Sequence, residues 1–253
     1  MSDLTHLSLF SGIGGLDLAA EWAGFRTVGQ CEWADYPRAV LEKHWPEVPR
    51  WRDIHDLTAD DFFRKTGLQS VTCISGGFPC QPHSYAGKRK ASGDERDLWP
   101  EMRRVIGEIK PRWVVGENVR GLLSSEDGRF FLGVLRDFAD MGYDVGWGIT
   151  SAAAVGAIHR RERVAIVAHS NSIRCKCNRK IQEEWKKFDK QSFSDVNAGL
   201  LSIFRLENPP GVYRGDDGVS NRLDRYRVLG NAVVPQQFYP VFKAIADLER
   251  MME

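Results

Sequence analysis

Leu7-Ser8-Leu9-Phe10-Ser11-Gly12-Ile13-Gly14-Gly15 decides how the rest of the chain is read. An apolar strand, Leu7 to Phe10, runs into a glycine turn and then a helical pattern. Leu16, Leu18, Ala19, Ala20, Trp22 and Ala23 carry that pattern, and Gly24 is placed to end it. Strand, glycine turn and helix open a doubly wound α/β fold, whose ligand crevice lies beyond the carboxyl ends of the strands. A dinucleotide fingerprint would need a third glycine at position 17, where Asp17 stands. That substitution counts against a nucleotide-linked dehydrogenase. A turn that needs only positive φ would use the same glycines.

The next segments extend the pattern. Thr27 to Cys31 reads as a second strand ending at Glu32-Trp33, and Glu32 follows Gly12 by 20 residues. A carboxylate at that spacing accepts hydrogen bonds from ribose hydroxyls. Trp33 suits either stacking on an adenine face or packing in the core. A helix from Tyr36 to Trp45 stops at Pro46, and Asp53-Ile54 ends a third short segment. Asp53 there suits an adenine amino group or the cap of the next helix.

Val71 to Ile74 is a further buried strand, followed by Gly76-Gly77-Phe78-Pro79-Cys80-Gln81-Pro82. The glycines turn the chain and the prolines stiffen the loop around one thiol. Ala86-Gly87-Lys88-Arg89-Lys90 reads as a cationic loop able to meet phosphates, or as a solvated charge run. Pro100 suits the first turn of a helix carrying Met102, Val105, Ile106 and Ile109 on one face, and Pro111 ends it. Trp113 to Gly116 is a strand with Glu117-Asn118-Val119 at its carboxyl end, where a sheltered carboxyl would hold its proton. Phe130 to Met141 is amphipathic and stopped by Gly142, and strands follow over Tyr143–Ser151 and Val164–Ala168. Arg161 and Arg163, two apart, share a face if their segment is extended.

Gly77-Phe78-Pro79-Cys80-Gln81-Pro82 resembles the nucleophile motif of the cytosine-5 DNA methyltransferases. Glu117-Asn118-Val119 resembles that family's second catalytic motif, and Arg161-x-Arg163 its arginine motif. Ile158 and His159 stand where the family usually has proline and glutamine. The stretch Arg227 to Gln236 resembles the family's closing motif, after which Phe238, Val241, Phe242 and Ile245 form a helical stripe expected to lie beside the first helix. The resemblance covers residues 7–168 and about 215–250.

The resemblance implies a Rossmann-like S-adenosylmethionine-dependent methyltransferase fold: a mostly parallel sheet, helices on both faces and a small late insert. It implies methylation of cytosine C5 in double-stranded DNA through a Cys80–C6 adduct. Glu117 would assist at N3, with Arg161 and Arg163 holding the base. Phe10, Gly12, Gly14, Glu32, Trp33, Asp53, Ile54 and Asn231 would bind S-adenosylmethionine, Glu32 at the ribose and Asp53 at the adenine. No metal is expected. A cognate restriction endonuclease and a monomeric state belong to the same expectation. An RNA (tRNA) cytosine-5 methyltransferase and a non-catalytic DNA-binding relative are the alternatives.

The chain divides into a catalytic and cofactor-binding domain over 1–168, a target-recognition region over 169–214 and a returning segment over 215–253. Between Arg174 and Lys190, seven Lys/Arg face three acids, a local charge of +4 with Trp185 and Phe188 interleaved. That mixture suits a nucleic-acid surface or a solvated helix. The whole chain of 253 residues has net charge +1, so any attraction to phosphate is local. Five cysteines without framework spacing point to a reducing cytoplasm, and Cys175-x-Cys177 lacks the second pair a zinc site needs. No apolar run is long enough for a transmembrane helix, and the start of the chain does not read as a signal peptide.

Overall fold

A computed structural model describes residues 3–79, 97–157, 160–174 and 232–252. In chain order its elements are β1 (Thr5–Leu9), α1 (Gly15–Trp22), β2 (Arg26–Cys31), α2 (Asp35–His44), β3 (Arg50–Trp51), α3 (Ala59–Thr66) and β4 (Cys73–Gly76). They continue with α4 (Trp99–Ile109), β5 (Trp113–Val119), α5 (Arg129–Asp140), β6 (Tyr143–Ser151), β7 (Glu162–Ser170), α6 (Asn171–Arg174) and α7 (Pro235–Met251).

The described strands form one seven-stranded sheet in the order β3-β2-β1-β4-β5-β7-β6. Pairing is parallel from β3 across to β5. Only β7 among the described strands runs against the rest, antiparallel to both β5 and β6. The expected mostly parallel sheet is therefore present.

Strand periodicity explains the layers. Ile74, Val114, Val164 and Ile166 enter one core with Phe62, Met102, Ile106 and Phe138 from α3, α4 and α5. Their neighbours Cys73, Trp113, Val115, Ala165 and Val167 enter a second core with α1 and α7. Side chains alternate across a strand, so continuous apolar runs need cover on both faces. In α7 the stripe Phe238, Val241, Phe242 and Ile245 is buried in one cluster with Ala19 and Ala20 of α1 and Ala23 just after it. Burying each of the two phenylalanines stabilises the pairing by about 1.5–3 kcal/mol. The final helix thus lies beside the first, as the apolar stripe anticipates.

Several boundaries differ from the sequence expectation. β4 begins at Cys73 and includes Ser75 and Gly76, which pair with Ser8 and Leu9. Gly76 is thus a strand residue where the β1 backbone passes close, because a Cβ there would lie 3.1 Å from the Leu9 carbonyl oxygen. β5 continues through Glu117-Asn118-Val119, since β7 goes on pairing after β4 has ended. The α-helix after Asp53 is α3, and Thr58 caps it, accepting from the Asp61 N–H at 3.3 Å, while Phe62 buries its apolar face.

Candidate active site

Two clusters stand at the carboxyl edge of the sheet. The first surrounds the turn after β1. Phe10 leaves the strand at φ +52 and packs partly into the core. Gly12 follows at φ +55, and a Cβ there would meet nothing within 4 Å, so this glycine faces open space. Its N–H donates to Glu32 Oε2 at 2.8 Å, while the Ala34 N–H donates to Glu32 Oε1 at 2.8 Å. Gly14 has a different duty. It precedes α1 at φ +86, and a Cβ would lie 2.5 Å from the Trp45 ring.

Trp33 resolves its two sequence readings. Its indole is 64% exposed, with the Arg52 guanidinium carbon 5.5 Å from the ring centroid, so it does not pack in the core. Asp53 is a cap: its Oδ1 accepts from the His55 N–H at 3.0 Å and lies 2.6 Å from His55 Nδ1. Those contacts hold the Asp53 carboxyl below its ordinary range. Ile54 beside it is buried.

Asp17, which breaks the dinucleotide pattern, is fully buried beneath this turn. Ser8 Oγ donates to its Oδ2 and Gln30 Nε2 to its Oδ1, both at 2.8 Å. Arg50 Nε donates in turn to Gln30 Oε1 at 2.9 Å. This chain of bonds braces β1, β2 and β3 under α1. Burial outweighs the hydrogen bonds and raises the Asp17 pKa to about 6.

The second cluster lies beyond β4, β5 and β7. Phe78 is buried, its ring centroid 5.1 Å from that of Trp99, and its carbonyl accepts from Asn118 Nδ2 at 2.8 Å. A Cβ on Gly77 would lie 2.6 Å from Glu117 Oε2, so glycine is what lets the carboxyl reach the root of the loop. Cys80 itself lies outside the described residues, one position past Pro79.

Glu117 is buried and its Oε1 is 2.8 Å from Arg163 Nε. Burial raises its pKa to about 7, against the opposing pull of the Arg163 and Arg161 charges. Both effects are real, and the loss of water is the larger. The carboxyl therefore keeps its proton near neutrality, as a general acid requires.

The condition on which Arg161 and Arg163 would share a face is not met. Arg163 belongs to β7, opposite Val119, but Arg161 precedes the strand at φ +31 and is not extended. Such a backbone costs a non-glycine residue about 1–3 kcal/mol and persists only where its surroundings hold it. Both guanidinium charges still act on Glu117, and segment 232–237, leading into α7, contacts Arg161 on two sides. The Arg161 guanidinium donates to the Ala232 carbonyl, and Gln237 Nε2 donates to the Arg161 carbonyl at 2.9 Å.

The structure brings Gly12 together with Glu32, and Glu117 with Arg161 and Arg163. Cys80, Asn231, Ile158, His159 and the 174–190 charge run fall wholly or mostly outside the described residues. Sequence reasoning missed Asp17 and Gln237 as contributors, and gave Gly77 only a turning role. For Asp17 a signal existed: an acid one turn into a helix whose surrounding pattern is apolar.

A model of the C-5 cytosine-specific DNA methylase family matches residues 4–210. The chain belongs to that family. It is 32% identical over 174 residues to the type II methyltransferase M.Sau96I of Staphylococcus aureus, covering 65% of this chain and 38% of that one. It is 40% identical over 141 residues to the type II methyltransferase M.PspPI of Psychrobacter sp., covering 55% and 33%. The chain spans between a third and about a half of the length of such curated relatives.

Among solved structures, a protein encoded in an Escherichia coli prophage and assigned as a DNA modification methyltransferase matches with TM-score 0.60 and 24% identity. That match covers 68% of this chain and 48% of the other. The Dnmt2 methyltransferase of S. pombe matches with TM-score 0.53 and 26% identity, covering 66% and 51%.

Proposed function

We propose that this chain transfers the methyl group of S-adenosylmethionine to C5 of cytosine in double-stranded DNA. The observation that carries this reading is the buried Glu117 carboxyl, whose pKa is raised to about 7 and which lies against Gly77, three residues before Cys80. Family membership and the type II methyltransferase relatives support the same reaction.

A stacked cytosine is out of reach, so the base swings out of the duplex into the site. The Cys80 thiolate then forms a bond to C6, and the C5–C6 electron pair shifts toward C4 as Glu117 gives its proton to N3. C5 is thereby made nucleophilic. When bound, S-adenosylmethionine supplies the methyl group on a sulfonium leaving group. Solvent takes the C5 proton as the C6–S bond breaks, which frees the Cys80 thiolate, restores the C5–C6 double bond and returns the N3 proton to Glu117. Arg163 orients Glu117 and, with Arg161, favours charge developing on the base.

The first cluster fits such a methyl donor. Gly12 leaves open space beside Glu32, and Trp33 presents an exposed indole. In this reading Glu32 holds ribose hydroxyls, Asp53 the adenine amino group, and Phe10, Gly14, Ile54 and Asn231 complete the pocket. Residues 1–168 form the catalytic domain, 169–214 read the DNA target and 215–253 return to the catalytic domain. The protein acts as a monomer in the cytoplasm, beside a cognate restriction endonuclease. No described helix is long and apolar enough to cross a membrane.

Bisulfite sequencing of host DNA after expression tests the reaction. Protected cytosines in one recurring sequence context are expected. The Cys80→Ser variant should bind S-adenosylmethionine and lose methylation by about a thousandfold or more. Protection absent from DNA, or methylation found on tRNA instead, would overturn the assigned substrate. Full methylation by Cys80→Ser would overturn the nucleophile.

A further inference from the structure

Gln237 stands in the first turn of α7 with 2% of its surface exposed, a depth at which an amide needs partners. Its Nε2 donates to the Arg161 carbonyl at 2.9 Å and to the Thr150 carbonyl, near the end of β6, at 3.3 Å. The Arg161 guanidinium donates in the other direction, to the carbonyl of Ala232 just before α7. Backbone and side chain of one residue are thus clasped by segment 232–237. The clasped residue is the one at φ +31, whose conformation needs outside support. The same segment reaches the other cluster too: the Val233 carbonyl oxygen would lie 2.5 Å from a Cβ on Gly15, at the start of α1.

We infer that Gln237 is a positioning residue for methyl transfer. It holds the Arg161 backbone so that both guanidiniums bear on Glu117, and it ties that arrangement to the glycine turn on the donor side. The inference rests on the methyl-transfer reading above. Gln237 acts through Arg161, so its loss falls on turnover more than on donor binding.

The test uses the full chain and Gln237→Met, which keeps the length of the side chain and removes the donor. Expected are a folded protein with a modestly lower melting temperature, a KM for S-adenosylmethionine within threefold, and a kcat at least tenfold lower. Amide hydrogen exchange at residues 160–163 should be faster than in the wild type. Among the described residues, Arg163 and Arg161 are the charged groups that bear on Glu117. Displacing Arg161 removes one of them, so the fall of kcat with rising pH should move to higher pH.

A kcat within twofold of wild type, or unaltered exchange at 160–163, would overturn the inference. Should Gln237→Met fail to fold, Gln237→Asn decides, because its amide is one methylene short of the Arg161 carbonyl. A tenfold lower kcat with the fold retained supports the clasp, and a wild-type kcat overturns it. Wild-type protein that methylates no DNA would sink the functional reading separately. The exchange comparison would then judge the clasp alone, with faster exchange supporting it and equal exchange overturning it.

Discussion

Glu32 and Glu117 are both glutamates at the carboxyl edge of one sheet, yet they occupy opposite kinds of surroundings. Glu32 follows β2 in the parallel half and accepts from two backbone N–H groups beside open space. Glu117 lies where β5 pairs with the antiparallel β7, buried and against two arginines. Backbone donors and nearby water suit a carboxylate that holds hydroxyls. Burial suits a carboxyl that must still carry a proton at neutral pH. One residue type thus stands in two kinds of surroundings on one sheet edge.

Three changes test that contrast. The largest effect is expected at Glu117. Glu117→Gln should slow methyl transfer by about 10²–10⁴-fold. Its raised pKa means the proton is kept up to about pH 7, so wild-type turnover should fall as pH rises through that value. The variant should lack this fall. A wild-type profile flat across neutrality would remove the acid role and with it the contrast.

Asp17→Ala comes next and acts on stability. It leaves the buried Ser8 hydroxyl and Gln30 amide without their acceptor, a loss of about 2 kcal/mol or more, read by chemical denaturation. The pKa of Asp17 is raised from 3.8 to about 6, so between those values the folded chain binds more protons than the unfolded one. Stability should fall as pH rises through this window, and the variant should lose that share of the slope. The fall in turnover near pH 7 should remain. If Asp17→Ala moved it, the two halves would be coupled more tightly than their separate bonds imply.

Trp33→Ala should do least. An exposed indole contributes little to folding, so stability should stay within about 0.5 kcal/mol. Loss of stacking should weaken S-adenosylmethionine binding by about fivefold, near 1 kcal/mol, measurable by calorimetry. Unchanged affinity would remove Trp33 from the donor site.

How much was legible follows the same division. The glycine turn and the first helix lie within 24 residues, and local pattern places both where the structure has them. The alternation of Trp113 to Val115 between two cores was likewise written in an apolar run that needs two covered faces. For Arg161 the spacing left the outcome open, because a separation of two implies a shared face only in an extended chain, and its φ is +31. Gln237 left no local trace at all. It is a polar residue beside the apolar stripe, and its partners Thr150 and Arg161 lie 87 and 76 residues away.

By itself the sequence determined which groups are available: a thiol in a proline-stiffened loop, two glutamates at strand ends, two arginines and a glycine turn. These depend on residue identity and near neighbours, through strand and helix periodicity and turn chemistry. Tertiary structure alone decided how deeply each glutamate is buried, with which partners, and how a strained arginine is held. Burial and the clasp by α7 bring distant segments together, and no spacing along the chain encodes them.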